Sequence, residues 1–170
     1  ICACLVGSEM CIRDRICIVG VFAAITGCTE KNQDPQESNK SVQQILENLS
    51  VSREKLDSSL YFNDSIFKEN CEKLYSVKYS ELTDGGILYC ESGEYADEIS
   101  ILKLTDSSSA NAEEILENRK QARIKVYEGY SPSETEKANN AAVFEENGYA
   151  VLIIADDAAS LEKAVRKELN

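Results

Sequence analysis

The chain has 170 residues, with 18 Lys and Arg against 30 Asp and Glu, a formal net charge of −12 and no histidine. A sequence isoelectric point near 4.5 sets it against phosphate backbones and so excludes an electrostatic nucleic-acid binder. The same charge denies it an electrostatic grip on anionic lipid, so any membrane affinity must come from elsewhere.

In chain order, residues 1–15 do not read as part of a fold. Cys4 to Arg15 (CLVGSEMCIRDR) resembles an in-frame translation of the transposase adapter used to prepare sequencing libraries, with every residue of the stretch matching. Residues 1–15 are therefore expected to be a non-native scar, and the native start codon is expected to be lost. Excluding them changes the cysteine arithmetic. Cys2, Cys4 and Cys11 fall in the scar, Cys17 lies in the apolar run that follows, Cys28 ends that run, and only Cys71 and Cys90 remain. Two separated cysteines in a chain without histidine make neither a disulfide framework nor a metal cluster.

Ile16 to Thr26 (ICIVGVFAAIT) is apolar but shorter than the roughly 20 residues that span a bilayer, so residues 16–27 fit a signal-peptide core. Ile25-Thr26-Gly27-Cys28 follows and resembles the bacterial lipobox. There an aliphatic residue and two small ones let a peptidase hold the extended backbone close, and the cysteine is acylated and becomes the new N-terminus. The reading is a lipoprotein anchored through Cys28 on the extracytoplasmic face of the membrane, at the surface rather than across it. A plain secretory signal and a buried cytosolic helix are the alternatives. Residues 28–40 supply the acylated cysteine and a polar stretch with Pro35, which reads as a disordered tether. The folded domain is expected over 41–170, long enough for one core and too short for two.

Val42, Ile45, Leu46 and Leu49 recur at helical spacing behind a Ser41/Gln44 capping box, predicting a helix to about Ser50. Phe67, Cys71, Leu74 and Tyr75 mark a second helix capped by Asp64 or Ser65. Asp84-Gly85-Gly86 reads as a turn, followed by strands near 87–91 and 98–104 joined by a loop around Gly93. The longest helix is predicted from Ala112 to Tyr127, with Ala112, Ile115, Leu116, Arg119, Ala122, Val126 and Tyr127 on one face. Ser131-Pro132-Ser133-Glu134 opens a short helix ending near Asn139. Asn147-Gly148 joins strands 142–146 and 149–155, and Asp157 caps a last helix with Leu161, Ala164, Val165 and Leu169 inward. Strand pairs without βαβ alternation predict a single α+β domain: an antiparallel sheet of about four strands with helices mainly on one face.

Four stretches carry a resemblance. They are Ala96-Asp97-Glu98-Ile99 leading into an aliphatic strand, Arg119 with Gln121, Tyr127 to Pro132 (YEGYSP), and Asn147-Gly148-Tyr149 before Val151-Leu152-Ile153-Ile154. Together they resemble a family of small extracytoplasmic lipoproteins of Gram-positive anaerobes, the domain of unknown function 4358, over roughly residues 65 to 157. The resemblance implies a lipobox followed by one α+β domain. It implies no activity, so no catalytic residue is carried over.

Candidate chemistry is sparse. Ser52-Arg53-Glu54-Lys55 fits the S-x-x-K pattern of penicillin-recognising enzymes, but neither companion motif, S-D-N or K-T-G, occurs, and Ser52 reads more simply as a cap. Asp156-Asp157 could bind a hard cation if Asp84 or Glu145 lay near, although helix capping by Asp157 explains the pair without one. Cys71 and Cys90 read as buried thiols rather than a disulfide. Arg119 is the anomaly, because a guanidinium on an apolar helix face must find a carboxylate or carbonyls or snorkel past the helix end, or else opens onto a groove. In the second case Tyr127 and Tyr130 could line the groove with it. No catalytic set, metal site or cofactor is expected. The leading function is a non-enzymatic envelope module that docks on an extracytoplasmic protein or wall component. The alternative is a small-ligand or cation binder using a groove near Arg119.

Overall fold

The computed structural model describes residues 40–170, apart from Arg53 and Ser109. The adapter-like stretch, the signal-peptide core, Ile25, Thr26, Gly27, the acylation site Cys28 and all of the tether except Lys40 lie outside the described residues. No helix among the described residues is long and apolar enough to cross a membrane.

Helix α1 (Val42–Asn48) is closed at its start by the expected box, with Ser41 accepting from the Gln44 amide and Gln44 reaching back. Then come β1 (Ser58–Tyr61), α2 (Ser65–Tyr75), β2 (Leu82–Tyr89), β3 (Glu98–Leu104), α3 (Ala112–Tyr127) and α4 (Pro132–Asn139). The hairpin β4 (Ala142–Glu146) and β5 (Tyr149–Ile154) and helix α5 (Ala158–Leu169) complete the chain. Asn147 and Gly148 both take positive φ, 52° and 76°, as a two-residue hairpin turn demands.

The strands form one antiparallel sheet in the order β1-β2-β3-β5-β4. The α+β class is as expected, but the sheet has five strands rather than about four. The added strand is β1, four residues of which only Leu60 is buried, too short to show an alternating pattern.

Side chains alternate across the sheet and build a core on each face. On one face Ile87, Leu102, Leu152 and Ile154 meet Phe67 and Cys71 of α2, Leu116 and Tyr127 of α3 and Ala138 of α4. On the other Leu88, Ile99, Ile101, Val151 and Ile153 meet Val42, Ile45 and Leu46 of α1 and Val165 and Leu169 of α5. Most helical residues lie on the first face, as expected, and α1 and α5 cover the second. Among the described residues, both cores are built from residues between Val42 and Leu169, so residues 40–170 contain the cores that a self-standing domain needs.

Asp84-Gly85-Gly86 is not a turn. It lies inside β2, with strand pairing continuing through Gly85↔Leu102 and Gly86↔Ile101. A Cβ on Gly85 would stand 2.6 Å from Phe67 Cζ of α2, and one on Gly86 would stand 2.7 Å from Leu46 Cδ1 of α1. The glycines let a helix approach each side of the strand, which is why the pair sits mid-strand.

Candidate functional site

The buried face of α3 departs from expectation after its second turn. Ala122 and Val126 are exposed, and the inward line instead runs through Arg119, Arg123 and Tyr127, spaced four apart. Two guanidiniums thus point at the sheet. Their partner is Glu98, the first residue of β3, which is fully buried. Arg119 Nε donates to Glu98 Oε1 at 2.8 Å and Nη2 donates to Oε2, a two-point fork. Tyr75 Oη donates to Oε1 at 2.7 Å and Ser100 Oγ donates to it at 3.0 Å. Arg123 Nε lies 3.6 Å from Oε2 and Nη2 reaches the Tyr95 carbonyl and the Tyr127 hydroxyl.

Burial alone would push the Glu98 carboxyl up. Arg119, Arg123 and the Tyr75 hydroxyl outweigh it, so Glu98 is held below the usual glutamate range. Desolvation would lower Arg119, but the Glu98 fork raises it. Among the described residues the one buried side-chain donor of this network without a hydrogen bond is Arg123 Nε. Arg119 and Tyr127 share the inward line of α3 but meet different partners, Glu98 for Arg119 and Arg123 with the Gly93 and Tyr95 carbonyls for Tyr127; Tyr130 is 64% exposed, its ring 5.6 Å from that of Tyr127. None of the three main cavities is lined by Arg119, Tyr127 or Tyr130.

A second ionic cluster starts one residue earlier. Asp97, Glu134 and Asp156 converge on Lys137 Nζ, at 2.5, 2.9 and 3.2 Å. Glu134, placed where a capping box would use it, instead accepts the Ala96 amide at 2.7 Å. The ammonium of Lys137 is raised by these carboxylates despite its burial. With three carboxylates around one ammonium, burial keeps Asp97 above its usual range even though Lys137 pulls it down. The cluster ends at the surface, where Lys55 Nζ meets Asp156 Oδ2 at 2.6 Å.

That surface end opens into a groove of about 590 Å³ between α5 and the connector from α1 to β1. Leu49, Val51, Leu56, Leu161 and Ala164 give it an apolar floor, while Lys55, Asp156, Ser160 and Lys167 stand around it. The volume lies within the usual range for small-ligand sites. The S-x-x-K pattern and the Asp156-Asp157 pair both reach this groove. Lys55 of the S-x-x-K pattern is engaged by Asp156, while Ser52 Oγ accepts the Glu54 amide within its own turn. Asp157 does cap α5, accepting from the Ser160 amide. Asp84 is remote from Asp156-Asp157 in use, since it accepts the Val42 and Gly85 amides. Among the described residues no group of three or more acidic or thiol side chains is disposed to hold a metal ion. Cys71 and Cys90 are separate, buried thiols. Glu98, Arg123 and Lys137 were missed. Only the unpaired appearance of Arg119 hinted that a buried acid must exist.

The family model described as "Domain of unknown function (DUF4358)" matches residues 54–155. The chain belongs to this family. No curated protein and no solved structure matches the chain. The family's segment contains the whole Glu98 network, and also Asp97, Glu134 and Lys137. Of the groove it includes Lys55, Leu56, Asp97 and Ala155, whereas α1 and α5 fall outside it. The stretches Ala96-Asp97-Glu98, Arg119 and Tyr127 that carried the resemblance are therefore components of internal polar networks.

Proposed function

We propose that this chain is a non-enzymatic binding module of the bacterial envelope, anchored on the extracytoplasmic face of the membrane through an acylated Cys28. The groove between α5 and the 49–56 connector is its contact surface. One observation carries the reading: the concave surface has an apolar floor and an exposed ion pair at its mouth, whereas the strongly buried charges are bound to one another. The small-ligand reading accordingly moves from Arg119, which Glu98 holds, to the groove. A net charge of −12 gives no attraction to anionic lipid, so the acyl chains supply the membrane affinity in this account.

The test uses Ser160→Cys, an exposed groove position, in the anchored chain and in a Cys28→Ser version. The anchored protein stays with the membrane fraction, and its new thiol is protected from a maleimide in intact membranes but labelled after purification. Cys28→Ser leaves the membrane fraction. Retention of Cys28→Ser would remove the anchor from the account, and equal labelling in membranes and in pure protein would remove the groove.

A further inference from the structure

Lys55 and Lys137 share one carboxylate, Asp156, but they are held in different ways. The Lys137 side chain is 6% exposed and has Asp97 and Glu134 as further partners, so it cannot leave without stranding buried acids. The Lys55 side chain is 32% exposed, stands on a connector outside the helices and strands, and has one carboxylate partner. Its ammonium also lies 5.1 Å from the centroid of the Tyr95 ring. A carboxylate beside an aromatic face is the chemistry that receives an organic ammonium.

We infer that the groove receives an amphipathic cation, an ammonium on an apolar body, and that Lys55 is a tethered stand-in occupying the ammonium position. This rests on the groove being the contact surface. The incoming ammonium replaces Lys55 at Asp156 Oδ2, and its body lies on Leu49, Val51, Leu161 and Ala164. Lys55 swings into water, where it needs no partner, and Asp156 remains paired to Lys137 through Oδ1. An anionic ligand lacks this route. Among the described lining residues, Asp97 and Asp156 are held by Lys137, Asp156 also by Lys55, and Glu168 by Lys40, so an anion would have to draw an ammonium away from a carboxylate it already serves. The net charge of −12 likewise concentrates cations rather than anions at the surface.

Isothermal titration of residues 40–170 with n-octylammonium, with octanoate as the anion of equal length and ethylammonium as the cation without a body, tests this. Octylammonium binds in preference to both. Lys55→Gln removes the internal competitor and tightens octylammonium roughly two- to fivefold, the range an exposed ion pair allows. Asp156→Asn weakens it at least tenfold while leaving the chain folded by circular dichroism. The sign at Lys55 is decisive, because weaker octylammonium binding in Lys55→Gln overturns the inference. If octanoate binds instead and Lys55→Gln abolishes it, the groove stays a binding site and the cation assignment falls. If neither amphiphile binds while Ser160→Cys is protected in membranes, the contact surface stands and the ligand class falls. If that protection is missing too, both fall.

Discussion

Asp97 and Glu98 are neighbours at the start of β3, and the charge clusters they enter differ in what they can do. Glu98 is enclosed by Arg119, Arg123, Tyr75 and Ser100, with every partner on a helix or strand and none on the walls of the three cavities above. Asp97 leads through Lys137 and Asp156 to Lys55, so its cluster runs from the core to the mouth of a groove. A closed set of buried charges fixes helix α3 on the sheet, and its one unbonded donor, Arg123 Nε, is itself buried beside Glu98. A chain of ion pairs that ends in water has one loose end, and that end can be exchanged. Perturbed ionisable groups therefore do not by themselves mark the site here; the exposure of the last member does.

The sharpest way to break the closed cluster is Arg119→Ala, which leaves Glu98 buried between a tyrosine, a serine and a guanidinium that reaches it only at 3.6 Å. Removing one partner of a buried pair costs about 3–5 kcal/mol, and urea unfolding should show a loss of that size. A smaller effect comes from acid. The folded Glu98 titrates below its ordinary 4.5, so the stability it contributes is complete above that value and is lost as pH falls through the lower folded one. Carboxyl NMR should find Glu98 still ionised at pH 4.5 while the urea midpoint declines below it. A Glu98 that protonates above 4.5 would mean that burial outweighs both guanidiniums.

How much of this was legible depends on how far apart the cause and the effect lie in the chain. The box at Ser41 and Gln44, the Asn147-Gly148 turn and the Asp157 cap are local, and each stands where its residues indicate. Gly85-Gly86 misled because glycine pairs mark turns locally, whereas here Phe67 and Leu46 of two distant helices require them. Glu134 misled in the same way: it occupies a capping position, and its carboxylate serves Ala96, 38 residues away. Arg119 was visibly in need of a partner, but nothing in the strand around Glu98 announced a buried acid. The groove was the least legible part, since its walls are a connector without periodicity and the outer side of α5.

The smallest predicted effect is also the most telling. Lys55→Ala removes an exposed pair and should cost no more than about 1 kcal/mol, because such pairs gain little in water. The decisive measurement is urea unfolding of Lys55→Ala and Arg119→Ala side by side at neutral pH. The account predicts a midpoint close to that of the parent chain for Lys55→Ala and a large drop for Arg119→Ala. Equal losses would contradict it, because Lys55 would then be as much a part of the fold as Arg119 and could not be the end that gives way.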